Sequence, residues 1–289
     1  MTVVHIDKYR IDPMESELLS NLDAAGILTL TLNRPDKRNA LSRTMQRLLL
    51  DATRDAGLDP EVRVVVLTGA GGSFCAGGDV NNFGRSDPGD AMGAKYAEHP
   101  VWLDVELRTE RLARNDETSV NLHRMGKPTM AMIRGAAAGA GLALACACDF
   151  RFASENATFT SAFAKIGASG DGLGSYFITK LVGPSKAKEL YFLSDKLTAQ
   201  EALSIGLIDR VIPDAKLEEE TMAFAARLAS GPPVAYRLIK QNINAALCKD
   251  LDDVIRMEPP NMIRSLSTED SKEAVRAFLE KRQPKFSGR

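Results

Sequence analysis

Residues 133–150, IRGAAAGAGLALACACDF, decide how the rest of the chain is read. Gly135 to Gly139 are all Gly or Ala, so backbone there can approach a ligand with no Cβ bulk between them. From Ala140 to Cys148 the residues are apolar or small throughout. An amphipathic surface helix would carry a polar stripe, so this segment is expected to be a helix buried on all faces. A helix N-terminus behind a Gly-rich turn presents free N–H groups and the positive end of the helix dipole. Two readings stay open from the residues alone: a place to hold negative charge, or a packed core helix with small residues at a crossing.

Outward from this helix, strands and helices alternate, which argues an α/β fold. Gly26–Asn33 alternates apolar residues with Thr and reads as a strand. Arg34–Asn39 is a turn, and Ser42 is a fitting N-cap for a helix of about a dozen residues ending near Gly57. Val62–Thr68 is a β-branched run, the mark of a strand buried on both faces. Small residues, Phe74–Asp79, follow the next loop. Residues 84–118 are charged and weakly periodic, and read as a variable loop and helix over a site, with a helix near 106–125. Strands are expected at Thr129–Ile133 and Asp149–Ala153, with another at Ala157–Phe159. Asp171–Gly174 is a turn, and a helix begins at Tyr176. From Thr198 the pattern is helical. Thr198-Ala-Gln-Glu201 is a capping box, and Leu217–Ala229, Pro233–Leu247 and Thr268–Lys281 are amphipathic. Such a tail must bury its apolar faces on its own core or on another subunit, so an oligomer is expected. The division is 1–20, an N-terminal segment with a short strand at Val3–Ile6; 21–197, the core; and 198–289, the helical region.

Composition excludes several classes. Lys and Arg number 37 against 38 Asp and Glu, a net charge of −1, with no basic footprint for nucleic acid. No apolar run reaches the length of a membrane span. The N-terminus is polar and lacks the apolar centre of a secretory signal. Cys75, Cys146, Cys148 and Cys248 form no CxxC pair, so neither a metal site nor a disulfide framework is indicated. The chain reads as a reduced, cytoplasmic protein with buried thiols.

Two small-residue stretches, Ser73-Phe-Cys-Ala-Gly-Gly-Asp-Val80 and Gly135–Ala145, resemble the paired oxyanion-hole motifs of the crotonase (enoyl-CoA hydratase/isomerase) superfamily. The resemblance extends through Asn33–Leu41, Cys148-Asp149, Leu197–Asp209 and Ala277–Arg282, and is poorest over 85–118. It implies a crotonase-like spiral of ββα units, a C-terminal helical trimerisation region giving a trimer or hexamer, and acyl-coenzyme A thioester substrates. Coenzyme A then enters as part of the substrate, with no separate cofactor. Removing a proton alpha to a thioester, or adding a nucleophile beta to it, puts negative charge on the thioester oxygen. Two backbone N–H groups stabilise that enolate by roughly 3 kcal/mol each. By position the resemblance assigns them to Ala76 and Ala140. It also implies that Lys37, Arg38, Ala40, Ala76, Gly77, Gly78 and Asp79 line the coenzyme A path, with Gly139 and Phe163 beside the acyl group. Lys37 and Arg38 also fit a plain solvated turn.

One departure matters. Hydratases of this family carry two glutamates that hold and activate water; the matching positions here are Ala143 and Phe163. A methyl and a phenyl ring cannot move protons. Asp171, eight residues beyond Phe163, resembles the catalytic aspartate of dienoyl-CoA isomerases and the nucleophile of 4-chlorobenzoyl-CoA dehalogenase. Naphthoate synthases place an aspartate one residue earlier. Burial beside Phe163 would raise its pKa, which suits proton transfer, whereas Asp-Gly is also ordinary turn chemistry. The segment 85–118 offers Asp87, Asp90, Glu98, His99, Asp104, Glu106, Glu110 and Asp116, most of them expected to be solvated. His123 is expected to be packed, and the pairing of His99 with Trp102 is a weak basis for dehalogenation. The expected reaction is double-bond isomerisation or hydration with Asp171 moving the proton. The rivals are a C–C lyase or hydrolase on a cyclic or β-keto acyl-CoA, and a non-catalytic acyl-CoA-binding protein.

Overall fold

The computed structural model describes residues 16–79 and 105–289. Its main sheet has the order β1 (Leu18–Leu22), β2 (Ile27–Leu32), β3 (Val64–Gly69), β4 (Thr129–Ile133), β6 (Phe150–Ser154), β9 (Arg210–Ile212). The first pair is antiparallel and the others parallel. A second sheet joins β5 (Ala136–Ala138), β7 (Thr158–Thr160) and β8 (Leu197–Thr198). The expected strand Val3–Ile6 lies outside the described residues.

Period-two patterning assigns each strand's faces. Leu28, Leu30, Leu32, Val65, Leu67, Ala131 and Ile133 face one core, and Ile27, Val64, Val66, Met130, Met132 and Phe152 face another. Both faces of β3 are buried, as its β-branched run predicts. At roughly 1.5–3 kcal/mol per fully buried aliphatic side chain, this strand alone anchors the sheet. The first core is covered by α1 (Arg43–Leu58), α2 (Val105–Arg124) and α3 (Ala140–Ala147), and the second by α6 (Leu217–Ala229).

Ser42 Oγ accepts the Met45 N–H, which caps α1 as expected; the helix runs to Leu58. All eight residues of α3 are buried, which explains why the sequence there has no polar face. It is followed by α4 (Gly174–Leu193), broken at Gly183-Pro184, and by α5 (Ala199–Ser204), whose Thr198–Glu201 capping box has both arms.

The helical tail contains α7 (Pro233–Ala246), α8 (Leu251–Leu266) and α9 (Glu269–Leu279). Lys240 on α7 reaches back to Asp149 Oδ2 at 2.7 Å, and that carboxylate also accepts the Thr129 N–H at 2.8 Å. The tail is thereby tied to the end of α3. Helix α8 is not expected from the sequence, because Pro259 and Pro260 inside it lack the N–H that a helix interior uses. Among the described residues, no helix is long and apolar enough to cross a membrane.

Candidate active site

The Gly/Ala stretch divides into β5, a sharp turn and α3. Gly139, with φ 53° and ψ −126°, makes the turn in a conformation that only glycine adopts readily. Its own N–H donates to Thr160 O at 3.1 Å. Ala140 is therefore the first residue of the helix, and its N–H is one of the donors that a helix leaves without an internal acceptor. No described residue accepts it.

Close packing sets this N–H against residues 75–79. A Cβ built on Gly141 would lie 2.6 Å from both Cys75 Cβ and Cys75 O. Only a residue without a side chain allows α3 to approach so near. Gly141→Ala is expected to lower stability by about 2 kcal/mol, the cost of overpacking exceeding the gain in helix propensity; the thermal midpoint checks it.

The backbone bonds of residues 75–79 alternate between two neighbours. Cys75 N–H donates to Ala136 O at 2.9 Å, on the β5 side. Ala76 N–H donates to Arg38 O at 2.9 Å, on the opposite side. Leu41 N–H donates to Gly77 O at 2.8 Å, and Asp79 N–H donates to Leu41 O at 3.2 Å. These last two bonds form a parallel bridge, Leu41 with Gly78, in which the N–H of Gly78 points away from Leu41. The loop packs against the start of α3, where a Cβ built on Gly77 would lie 3.5 Å from Ala140 N, and no described residue accepts the Gly78 N–H. Ala76, expected as a donor, therefore has its N–H engaged elsewhere, and Gly78 presents the free one.

The neighbouring residues divide into framework and surface. Asp79 is buried, and its Oδ2 accepts from Arg34 Nη1 and Nη2, both at 3.1 Å. It clamps the loop to Arg34, whose Nη1 also donates to Ala40 O at 2.6 Å. Gly77 N–H donates to Cys75 Sγ at 3.5 Å. Lys37 and Arg38 are exposed on the turn at the mouth of this loop. Phe163 stacks on Tyr191 with ring centroids 6.1 Å apart, and its ring end lies 3.7 Å from where a Gly139 Cβ would be.

The turn before α4 fills the space beside Ala143. A Cβ on Gly172 would stand 2.8 Å from Ala143 Cβ, and one on Gly174 would stand 3.1 Å from it. Only residues without a side chain let this turn pack so close to Ala143. The hydratase carboxylate is absent at this position, where the chain has a methyl group.

Instead the turn delivers Asp171. A cavity is lined by Leu41, Leu49, Ala140, Leu144, Asp171 and, from α2, Asp116. Gly172 N–H donates to Asp171 Oδ1 at 2.7 Å and to Asp116 Oδ1 at 3.1 Å. The two carboxyl groups are close enough to hydrogen-bond with each other. Burial, and then the charge and hydrogen bond of Asp171, push the Asp116 carboxyl up to about 7, against a smaller lowering by the Gly172 N–H. From sequence alone Asp116 is one of a group of acids most of which are expected to be solvated. The available signal was its helical spacing from Ser119 and Leu122, both buried, which puts it on the inner face of α2.

The raised group makes stability depend on pH. The folded state keeps the proton up to about pH 7, while the unfolded chain loses it in the ordinary carboxylate range. Its contribution is full below that ordinary range and is lost as pH rises through about 7. Asp116→Asn removes the loss. With screening at this half-exposed site allowed for, it is expected to be more stable than wild type by about 1–2 kcal/mol at pH 8, and not at pH 4, by denaturant titration.

Among the described residues, the other candidate acids and His123 do not line this cavity. Glu106 and Glu110 are exposed. His123 packs on Phe177 at 5.1 Å between ring centroids, and burial lowers its pKa. Asp87, Asp90, Glu98, His99, Trp102 and Asp104 lie outside the described residues. Cys75, Cys146 and Cys148 are buried thiols pushed up to about 12 by burial, inert at neutral pH. Among the described residues no cluster could hold a metal ion.

Residues 23–289 match the enoyl-CoA hydratase/isomerase family model. The 1,2-epoxyphenylacetyl-CoA isomerase of Escherichia coli is 33% identical over 272 residues, covering 94% of this chain and 98% of the relative. An enoyl-CoA hydratase structure from Polaromonas sp. JS666 superposes with a TM-score of 0.81 at 31% identity, covering 93% of this chain and 99% of that one. One from Bacillus anthracis gives 0.83 at 29%, covering 95% and 100%. With these matches over nearly the whole sequence, the chain belongs to the enoyl-CoA hydratase/isomerase family, as an enzyme acting on acyl-CoA thioesters.

Proposed function

We propose that this enzyme shifts a double bond in an enoyl-CoA, with Ala140 and Gly78 donating to the thioester oxygen and Asp171 carrying the proton. The observation that carries this is the placement of Asp171 on the same cavity wall as Ala140, while positions 143 and 163 offer no carboxylate. In a 3-enoyl-CoA, the Asp171 carboxylate takes a proton from C2. The C–H electron pair moves into a dienolate whose negative charge rests on the thioester oxygen under the two N–H donors. Asp171 then returns the proton to C4, and the double bond ends conjugated at C2. Atoms balance with no water consumed. The isomerase name of the Escherichia coli relative fits a reaction at constant mass. The exposed Lys37 and Arg38, at the mouth of the loop, suit the coenzyme A phosphates, and Ala40 and the loop from Ala76 to Asp79 suit the pantetheine path. Gly139 and Phe163 suit the acyl end.

The test is product analysis with crotonyl-CoA, a 3-enoyl-CoA and a 3,5-dienoyl-CoA in separate reactions. The expected result is conversion of the 3-enoyl-CoA to a conjugated product of unchanged mass. Addition of water to crotonyl-CoA at a comparable rate would overturn the reading in favour of hydration.

An oligomer, trimer or hexamer, accompanies this reading. Phe278, Leu279, Leu251 and Phe192 are 82%, 74%, 74% and 73% exposed, large apolar side chains that a lone chain would leave in water. Light scattering is expected to give a multiple of 31.3 kDa, and Phe278→Glu is expected to shift it toward the monomer; a monomeric wild type would contradict it. The three buried, free thiols suit a reducing compartment, and cytoplasm is the proposed location.

A further inference from the structure

We infer that Asp116 is a second member of the proton-carrying machinery: Asp116 and Asp171 form a pair that holds one proton between them over the cavity. The inference rests on the reading of Asp171 as the base. Its grounds are geometric. The helix α2 packs on both α1 and α3, which turns Asp116 toward the cavity that Ala140 and Asp171 line. One N–H, that of Gly172, bonds to an oxygen of each carboxyl group. A single donor cannot neutralise two carboxylates, and like charges so placed disfavour double ionisation.

The surroundings choose which arrangement is stable. Leu41 and Leu49 face the pair from the α1 side, with Gln46 beside them, and Ala140 and Leu144 face it from α3. From α2 itself come Asn115, Thr118 and Ser119. The phenol of Tyr191, on α4, feels the charge of Asp171. Among the described residues Asp171 is the one charged group whose field acts strongly on Asp116, and no cation offsets it. The spare proton therefore sits on Asp116, which donates it as a hydrogen bond to the Asp171 carboxylate.

This arrangement does two things in catalysis. It fixes the Asp171 carboxyl group by a hydrogen bond at the cavity wall, ready to accept the C2 proton. When Asp171 has taken that proton, the pair carries two, and either oxygen set can return one to C4. The gain is reach: C2 and C4 need not both lie in front of one carboxyl group. No atom beyond the moving proton is needed.

The pair is tested by the pH dependence of kcat/KM with trans-3-hexenoyl-CoA. Wild type is expected to lose activity above about pH 7 as Asp116 gives up its proton. Asp116→Asn keeps a neutral donor in the same place but cannot exchange a proton. It is expected to lose about 10-fold at pH 6 and to show no alkaline fall up to about pH 9. Retention of the wild-type alkaline limb in Asp116→Asn would overturn the pair. A second readout needs no turnover: carboxyl 13C shifts of aspartate-labelled protein. One carboxyl is expected to titrate near 7 in wild type and to move at least one pH unit lower in Asp171→Asn. Titration with the surface carboxylates, or insensitivity to Asp171→Asn, would overturn it. An active Asp171→Asn enzyme would defeat the base assignment itself, whereas the 13C titration judges the pair separately.

Discussion

Asp171→Asn is expected to lower turnover about 1,000-fold while leaving the fold intact or slightly more stable. The size follows from removing the group that moves the proton, which contributes roughly 100- to 10,000-fold in enzymes of this kind. The sign of the stability change separates chemistry from structure. Asp171 Oδ1 accepts the Gly172 N–H at 2.7 Å, and the amide oxygen of Asn can accept the same bond, so the turn is kept. The substitution also relieves the repulsion that Asp171 imposes on Asp116. If Asp171 were only a turn residue, the variant would stay active. Steady-state kinetics beside a thermal melt decide between the two: loss of activity with an unchanged or higher midpoint supports the base, and full activity rejects it.

Ala140→Pro is expected to lower kcat by at least 100-fold with little change in stability. The first helical position tolerates proline, because its N–H has no acceptor within the helix. The preceding residue, Gly139 at φ 53° and ψ −126°, is outside the α region that a following proline disfavours. On the proposed reading the substitution removes one of the two donors to the thioester oxygen, and losing such a donor costs about 100- to 1,000-fold. The proline ring also occupies the direction along which the N–H pointed. Circular dichroism is expected to be unchanged; wild-type kcat in a folded Ala140→Pro protein would remove Ala140 from the oxyanion site.

How much of this was legible before the structure differs by element. Strands β2, β3 and β4 and helices α1, α3 and α6 follow from periodicity and capping, because their burial pattern is written in their own residues. Short strands such as β5, β8 and β9 span two or three residues and carry no period. Pro259-Pro260 hid α8 for the reason given above. Within the site, the Gly-turned N-terminus of α3 was readable from 135–140 alone. The choice of Gly78 over Ala76 was not, because it depends on which side of the Leu41 bridge each N–H faces, a matter of register that a row of small residues does not encode. Asp116 was hidden for a similar reason. On its own helix it is one acid among several, and it gains its character only when the turn at Asp171 is folded against it.

The comparison of Ala143 with Asp171 carries the argument from family to reaction. A family frame that stabilises a thioester enolate is compatible with hydration and with isomerisation alike. On the proposed reading the difference lies beside α3, where Ala143 stands at the hydratase glutamate's position, the Gly172–Gly174 turn packs against it, and Asp171 opens that turn. Positions 143 and 163 supply neither of the two carboxylates that hold water in the hydratase manner, and on the proposed reading Asp171 moves the proton.

The most direct measurement is the reaction of trans-3-hexenoyl-CoA with the wild-type enzyme in D2O, with the product mass and the position of deuterium determined. The account predicts a 2-enoyl-CoA that carries no added water and whose newly acquired hydrogen is at C4, partly drawn from C2 and partly from solvent through the carboxyl pair. A product heavier by one water, or a chain cleaved between carbons, would contradict it.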